Sequence, residues 1–484
     1  MDFLLSVWTF FATNILQKPA FFIGLLVFVG YTLLNKKWYE TMSGCIKAIV
    51  GYFILTVGSG GLVSNSRPIL VALKTKFNLN AVIIDPYFGQ SAISEGLGPE
   101  FGRTFSQVMM LLLIAFVFNI ILVAFRKQTK IRSVFTTGHI QVQQAALAFW
   151  IILFCFPSLG DTQILIIMGL LLGTYWAVGS NLTIKATQEL TEGGGFCIAH
   201  QQMFAIPFTY WLSDKIGKKS KRLEDLQLPG WMSIFNENIV VTSLIMLVFF
   251  GSIILVLGKD FLIANSIMGA KDSFIFYIVT VSLNFAVYLA ILQLGVRLFV
   301  SELTQSFTGI STKLLPGAVP GIDVPAVYGF GSPNAITIGF VSAAIGQFIA
   351  ILGLIVFKSP ILIVAGFVPM FFGDGTLGVY ANNRGGMKAA ILVPMISGII
   401  AVLGSALFVG YIGLAKYGGF MGLFDWVTVW PVFTVLMKYL GYVGVVIIVL
   451  GLLAIPQIQY ARDKENYFLI TDDYAEYARK KSGA

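Results

Sequence analysis

Long apolar stretches that carry almost no charged residue recur along this chain, and they limit its fold more than any other feature. Most are roughly 17 to 25 residues long, enough for a helix to cross about 30 Å of hydrocarbon. Clear examples span residues 20–35, 108–125, 239–257 and 336–357. Only 11% of the 484 residues are charged, whereas a soluble domain carries about 25%. The sequence therefore predicts an all-α polytopic membrane protein with about ten or eleven crossings.

Positive charge is concentrated in short blocks between the apolar stretches. The net charge is +9, and basic residues cluster at positions 36–37, 126–132 and 215–222. Such blocks mark the cytoplasmic ends of membrane helices, so we interpret them as topology signals and exclude a nucleic-acid partner. We therefore expect the chain in a bacterial inner membrane, with its N-terminus outside and its charged C-terminal tail in the cytoplasm. An odd number of crossings, eleven, agrees with that placement.

The direction of the helices divides the chain into two halves of opposite orientation. We predict a membrane half at 1–214, a cytoplasmic basic linker at 215–237, a second membrane half at 238–456 and a tail at 457–484. AVIIDPYF (residues 81–88) is faintly similar to AVPGIDVPAVYGF (residues 318–330), and a long apolar helix follows each. Two halves of opposite topology with interrupted segments at matching positions are typical of inverted-repeat transporters.

Two polar clusters at the edges of apolar stretches contain both histidines of the chain. TTGHIQVQQ holds His139 and Gln143, which would share one helix face. TEGGGFCIAHQQ holds His200 and Gln201 just after a glycine run, where a helix can begin. Polar groups at membrane depth face a bundle interior or a water-filled cavity. Imidazole and amide groups suit a polyhydroxylated neutral or weakly acidic solute. Alternatively, these side chains only bond the helices to one another.

Three aspartates lie where the helical pattern is broken. Asp85 precedes Pro86 and Tyr87, Asp323 follows a Gly-Ile pair at the matching position of the second half, and Asp374 lies in the glycine-rich FFGDGTLGVYANN. Broken backbone is tolerated at membrane depth only where it lines a cavity. We expect these aspartates to face such a cavity, with Asp374 at a re-entrant tip and an extramembrane loop as the alternative for each.

Enzyme and metal motifs are missing from the sequence. The cysteines Cys45, Cys155 and Cys197 are scattered without metal-ligand spacing, which is typical of structural thiols. No P-loop, nucleophile elbow or HExxH motif is present. We therefore predict no catalytic residue, no metal site and no cofactor in this chain.

Four ordered motifs give the chain a specific resemblance. TGHIQVQQ, GGGFCIAHQQ, LPGWMSIFNENIV and LPGAVPGID together resemble the ascorbate-specific membrane component (enzyme IIC) of the bacterial phosphoenolpyruvate-dependent phosphotransferase system. The resemblance implies a homodimer with about eleven helices and two re-entrant hairpins per protomer. It also implies a core domain drawn from about 65–213 and 302–456, and a V-shaped scaffold domain from about 1–64 and 238–301.

The same resemblance implies a function and a set of binding residues. The chain would import L-ascorbate by an elevator-like movement, while a cytoplasmic IIB protein, supplied by IIA, phosphorylates the sugar. Whether a subunit without phosphoryl-transfer residues counts as an enzyme stays open. The residues expected to bind the sugar are Pro86, Tyr87, His139, Gln143, His200, Gln201 and Asp323.

The sequence departs from the family pattern at two positions, and it is also compatible with two other functions. Pro86 stands where we expect a hydroxyl residue, and Gln141 adds a polar group, so a related sugar acid or sugar alcohol is an alternative substrate. The main alternative function is a proton-coupled secondary transporter in which Asp323 or a histidine carries the proton. A passive channel or structural membrane protein, without saturable binding, is the third.

Overall fold

Long helices joined by short strands make up the described part of the chain. The computed structural model describes residues 18–77, 80–217, 221–225, 237–315, 317–366 and 368–482, together with residues 10, 14, 15, 230 and 234. Much of the predicted linker at 215–237, including most of the LPGWMSIFNENIV motif, lies outside these residues.

The helices of the first half, in chain order, are α1 (Pro19–Leu33), α2 (Trp38–Phe77), α3 (Pro86–Phe101), α4 (Phe105–Ala124), α5 (Arg126–Thr129), α6 (Gly138–Cys155), α7 (Asp161–Thr191) and α8 (Ala205–Ile216). Those that follow are α9 (Asn238–Leu257), α10 (Lys259–Ala264), α11 (Phe274–Leu314), α12 (Pro333–Val356), α13 (Gly375–Tyr411), α14 (Phe424–Leu440), α15 (Tyr442–Arg462), α16 (Asn466–Asp472) and α17 (Tyr474–Ser482). Short 3₁₀ turns occupy Leu223–Asp225, Val324–Val327 and Ala415–Tyr417, and a π-helical turn occupies Pro369–Asp374.

Seven helical segments of the described chain are long and apolar enough to cross a membrane. Three shorter apolar helical segments, Ile23–Leu33, Met246–Leu257 and Phe274–Tyr288, accompany them. Large apolar side chains such as Phe276, Phe357 and Leu407 are exposed on the outside of the fold. Apolar exposure on this scale requires a lipid environment. The structure thus confirms the prediction of a mostly helical, polytopic membrane protein.

The two longest helices, α2 and α11, pack along each other and against α1. A buried carboxylate joins all three: Glu302 of α11 accepts a hydrogen bond from the Tyr31 hydroxyl of α1, and Lys47 Nζ of α2 lies 3.3 Å from it. The side chain of Asn65 adds a hydrogen bond of 2.9 Å to the carbonyl oxygen of Val281. Polar contacts of this kind hold membrane helices together without a hydrophobic driving force.

Six short strands in the described chain form two small parallel sheets. The strands are β1 (Asn80–Ile84), β2 (Ser133–Phe135), β3 (Cys197–Ile198), β4 (Val319–Ile322), β5 (Ile361–Ala365) and β6 (Gly419–Phe420). Their order is β5-β1-β6 in one sheet and β2-β4-β3 in the other. Each sheet therefore has, at its centre, a strand from one half of the chain between two strands from the other half.

Sequence and pairing explain why these strands form inside a helical bundle. β1 (NAVII) is almost wholly buried, and β5 (ILIVA) is largely so, as expected for parallel strands covered on both faces by helices. The register pairs Ile84 with both Ala365 and Phe420, and Ile198 with Ile322. Since parallel strands end at the same edge of their sheet, the segments that follow β2, β3 and β4 emerge side by side.

Helix α13 folds back on itself at Gly386. This glycine has φ 69° and ψ −164°, outside the helical region. The side chain of Asp374 hydrogen-bonds Ser397, although a straight helix would separate these residues by roughly 35 Å. On α12, Gly339 contacts Gly378 before the fold while Gly346 contacts Met395 after it. Residues 369–385 and 387–411 are therefore the two arms of a hairpin packed against α12.

Close contact between α12 and this hairpin depends on glycine. A Cβ atom at Gly346 would lie 2.1 Å from the carbonyl oxygen of Met395, and one at Gly398 would lie 2.4 Å from that of Ala343. Small residues at such positions let membrane helices approach at the level of their backbones.

We predict that Gly346→Leu lowers the thermal unfolding temperature of the detergent-purified protein, because overpacking costs about 1–3 kcal/mol. The matched control is Gly353→Leu on the same helix, where an added Cβ meets nothing within 4 Å. Unfolding is followed by circular dichroism or tryptophan fluorescence. Equal melting temperatures for the two variants would contradict the proposed backbone contact.

Candidate functional site

Both histidines of the chain lie beside Asp323 at the edge of the second sheet. The Oδ2 atom of Asp323 is 3.5 Å from His139 Nε2, and its Oδ1 atom is 3.7 Å from His200 Nε2. The cause is the strand order: β4 lies between β2 and β3, so the residue after β4 lies between the residues that follow its neighbours. His139 opens α6, whereas His200 lies in a turn after β3 rather than at the start of a helix.

The three side chains lie close together without forming a closed ion pair. Both nitrogen–oxygen distances exceed the 2.7–3.2 Å of a direct hydrogen bond, so neither imidazole locks the carboxylate in place. The carboxylate is 27% exposed, while the imidazoles are 7% and 3% exposed. Asp323 is therefore the most exposed of the three side chains, with the histidines buried behind it.

A chain of hydrogen bonds runs from Trp426 to Tyr87. Trp426 Nε1 donates to Gln201 Oε1 at 2.5 Å, and Gln201 Nε2 donates to Gln143 Oε1 at 2.9 Å. Gln143 also hydrogen-bonds the side chain of Tyr87. Four residues that lie far apart in the sequence thus form one connected row beside the histidines.

The direction of this row is fixed by the indole. Tryptophan can only donate, so the oxygen of Gln201 must face it and the amide nitrogen must face Gln143. The same reasoning assigns the oxygen of Gln143 to Gln201 and leaves its nitrogen to donate to the phenolic oxygen of Tyr87. The O–H of Tyr87 is consequently available to donate to a ligand.

A second indole fixes the backbone next to His200. Trp176 Nε1 donates to Gln144 Oε1 at 2.6 Å, and Gln144 Nε2 donates to the carbonyl oxygen of His200 at 3.0 Å. Gln202 Nε2 donates to the carbonyl oxygen of Gly373 at 2.7 Å, which ties the same turn to the hairpin. The turn that carries His200 and Gln201 is therefore held on both sides.

Pro86 and Tyr87 begin a helix directly after β1. The carboxylate of Asp85 accepts a hydrogen bond of 2.9 Å from the backbone N–H of Tyr87, and Pro86 occupies the first helical position. Proline suits that position, because its missing N–H would have no partner within the helix. The start of this helix therefore explains a proline at position 86, where a hydroxyl residue was expected.

The remaining candidate residues have other surroundings. Asp374 is buried in the hairpin and pairs with Ser397. The amide of Gln141 donates to the carbonyl oxygen of Phe135 at 3.2 Å. The three cysteines are buried free thiols, and no group of three or more His, Cys, Asp or Glu side chains within the described residues could hold a metal ion.

Sequence reasoning did not single out the residues that hold the site in place. Asp425 accepts hydrogen bonds from the Tyr175 hydroxyl at 2.7 Å and from the backbone N–H of Phe204 at 3.1 Å. Together with Trp426, it anchors the segment after Gln201 to the start of α14. The only available signal was a polar residue beside an aromatic pair in an otherwise apolar stretch.

Comparison with a family of proteins and with a single relative points to the same kind of protein. Residues 14–429 match the family described as the sugar-specific permease component of the PTS system. The chain belongs to this family. A Mycoplasma pneumoniae protein described as an ascorbate-specific PTS system EIIC component is 34% identical over 442 residues, which cover 83% of this chain. The chain spans about two thirds, 66%, of that relative's length.

We predict that Asp425→Ala destabilises the protein by about 1–3 kcal/mol for each buried donor that loses its partner. Tyr175→Phe should cost less, because the carboxylate keeps its backbone partner. Thermal unfolding of the purified variants measures both effects. Asp260→Ala, at an exposed position of α10, is the control and should change stability by less than about 0.5 kcal/mol.

Proposed function

We propose that this chain is the translocating subunit of a phosphotransferase system that imports L-ascorbate, or a closely related sugar acid, across a bacterial inner membrane. The observation that carries the proposal is the meeting of His139, His200 and Asp323 at one sheet edge inside a sugar permease fold. The description of the Mycoplasma relative as ascorbate-specific supports the choice of sugar.

The hydrogen-bonding groups of the site match the groups of such a sugar. Ascorbate offers hydroxyl donors, carbonyl and ring acceptors, and an acidic enediol. Asp323 accepts from a hydroxyl, while the imidazoles and the amide row supply donors and acceptors around it. Tyr87 donates its O–H to an acceptor on the sugar and packs its ring against the sugar face. Pro86 lies beside it and contributes its ring and carbonyl.

The strand exchange supports an inverted-repeat organisation. In such a repeat, β1, β2 and β3 correspond to β4, β5 and β6, so β1 lies between β5 and β6 as β4 lies between β2 and β3. Asp85 and Asp323 then occupy equivalent positions. The bound sugar would lie where the two halves interdigitate, as in other transporters built from inverted repeats.

The positions of the proposed binding residues support a division into two domains. All the proposed binding residues lie within residues 65–213 and 302–456, which form the moving core. The scaffold is drawn from about residues 1–64 and 238–301, which include α1 and most of α2 and α11, and a second copy of the chain pairs on it. The hairpin with its turn at Gly386 is one of two re-entrant hairpins in a protomer of about eleven crossings.

This chain binds and transports the sugar, whereas its partner proteins supply the phosphoryl group. The chain binds the sugar from outside, and the core carries it to the cytoplasmic face. A cytoplasmic IIB protein, recharged by IIA, then transfers a phosphoryl group to a sugar hydroxyl. Phosphorylation adds negative charge, which weakens the fit next to the Asp323 carboxylate and favours release into the cytoplasm.

The proposal predicts that proteoliposomes with this chain take up labelled ascorbate only when phosphorylated IIB is present inside, and that the internal label is a sugar phosphate. Gln143→Ala and Asp323→Ala should weaken ascorbate binding by at least several-fold, since each lost hydrogen bond to a charged group is worth about 1.5–3 kcal/mol. Equilibrium binding to the purified protein measures this.

Gln128→Ala, an exposed glutamine outside the site, is the control and should bind ascorbate normally. Accumulation of free ascorbate driven by a proton gradient, without IIB, would show a proton-coupled transporter instead. Normal binding by both site variants would contradict the site, and binding of another sugar acid in place of ascorbate would change only the substrate.

Removing the indole donor should disorder the amide row without touching the ligand. We predict that Trp426→Phe weakens ascorbate binding by roughly fivefold to tenfold, because the two glutamines can then reverse their amides and Tyr87 can lose its orientation. Tyr87→Phe in the same background should have little further effect. Trp426→Phe with unchanged affinity would show that the row does not orient Tyr87.

A further inference from the structure

A cavity of about 220 Å³ lies between α7 and the C-terminal segments α15, α16 and α17. It is separated from the sugar site by strand β2, since Arg132 lines it on one side of that strand and His139 follows the strand on the other. None of the proposed sugar-binding residues lines this cavity. Its polar wall is made mainly by Arg132, Asn181, Lys185, Gln459, Arg462 and Asp463.

The wall of the cavity carries an excess of positive charge. Three lining residues are basic, Arg132, Lys185 and Arg462, and one is acidic, Asp463, which gives a net charge of +2. Asp463 already accepts a hydrogen bond of 2.9 Å from Asn466. A cavity with this balance attracts anions.

Arg132 is the most buried of these charged residues. Its side chain is 3% exposed, and the groups it contacts among the described residues are neutral: the carbonyl oxygens of Tyr467 and of the Asn181 amide, and the Tyr467 ring 3.7 Å away. Burial lowers the pKa of this guanidinium below its usual value, and Tyr467, Cys197 and, least, Asp472 offset part of that effect. A buried cation gains stability from an anion placed against it.

A residue of the cavity wall also carries an acceptor without a donor. Gln459 Oε1 is buried and has no hydrogen-bond partner among the described residues. Because a buried carbonyl oxygen without a donor is costly, it is suited to receive a hydroxyl group from a ligand. The cavity thus combines a place for an anion with a place for a hydroxyl.

We propose that this cavity binds a phosphate ester that carries a hydroxyl group. The phosphate contacts Arg132 in the interior and the exposed Lys185 and Arg462 at the mouth, and the hydroxyl donates to Gln459. The volume is below the roughly 300–1,000 Å³ of pockets for drug-sized ligands. The cavity therefore accepts a phosphate with a few attached carbons, and excludes a nucleotide.

Two sources supply this chemistry. Arg462 ends α15, a candidate membrane span, so the cavity lies at the depth of lipid headgroups and the glycerol phosphate of an anionic lipid can reach it. The sugar phosphate released at the cytoplasmic face is the second source, and this one rests on the proposed function.

The test uses sn-glycerol 3-phosphate and the full-length protein in neutral detergent, with isothermal titration calorimetry at constant ionic strength. We expect saturable binding of glycerol 3-phosphate and none of glycerol. Lys185→Gln and Arg462→Gln should each weaken binding roughly tenfold, and Gln459→Leu roughly threefold. Lys464→Gln, an exposed cation of the same segment that does not line the cavity, is the matched control and should bind normally.

Absence of saturable binding, or equal weakening by Lys464→Gln, would overturn the proposal. The source is assigned in nanodiscs: competition by phosphatidylglycerol, absent with phosphatidylcholine and lost in Arg462→Gln, supports the lipid headgroup, whereas binding unaffected by lipid supports a soluble phosphate. Ascorbate binding is measured on the same samples. Its failure alone contradicts the proposed function, and failure of glycerol 3-phosphate alone contradicts only this cavity.

Discussion

Backbone hydrogen bonding at membrane depth constrains the whole structure. Lipid offers no partner for a free N–H or C=O group, so a helix can end inside the fold only if its neighbours satisfy the exposed backbone. The two parallel sheets meet this need for six breaks at once. The backbone N–H of Asp85 donates to Phe420 O at 2.8 Å, and that of Ala199 donates to Ile322 O at 2.9 Å. The segments between helices thereby form the rigid edge of a sheet, and this edge holds polar side chains in place.

Each sheet contains strands from both halves of the chain, so both halves are needed to form this edge. β4 cannot pair without β2 and β3, and β1 cannot pair without β5 and β6. Asp323 therefore approaches the histidines only when residues from both halves are folded together. The hairpin at Gly386 adds to this dependence, because Gln202 donates to Gly373 at the start of its first arm.

Local sequence patterns predicted the parts of the fold that depend on neighbouring residues. Apolar length predicted the membrane helices, and the spacing of His139 and Gln143 placed both in the first turns of one helix, α6. The match between the segments around Asp85 and Asp323 identified two positions that both follow a strand. The glycine run before His200, however, leads into a strand and a turn, because Cys197 and Ile198 pair with β4 instead of starting a helix.

Contacts between distant residues could not be predicted in this way. Trp426 and Gln201 are 225 positions apart, and no periodicity connects them. The turn at Gly386 was not predicted at its true position: a re-entrant tip was expected at Asp374, but Asp374 contacts Ser397 and the chain reverses at Gly386. The sugar-binding roles of Pro86, Tyr87 and the other site residues stay predictions, since bringing side chains together does not by itself show what they bind.

The donor-only character of tryptophan gives the site its chemical direction. An amide can present oxygen or nitrogen with almost equal ease, so a row of glutamines alone would recognise hydroxyl groups without a preferred sense. Two indoles remove that freedom: Trp426 fixes the amide of Gln201, and Trp176 fixes the amide of Gln144. The site then presents a donor at Tyr87 and an acceptor at Asp323. Under the proposed function, a sugar with the opposite order of donors and acceptors would leave buried groups unpaired, and this penalty would discriminate between sugars more strongly than shape alone.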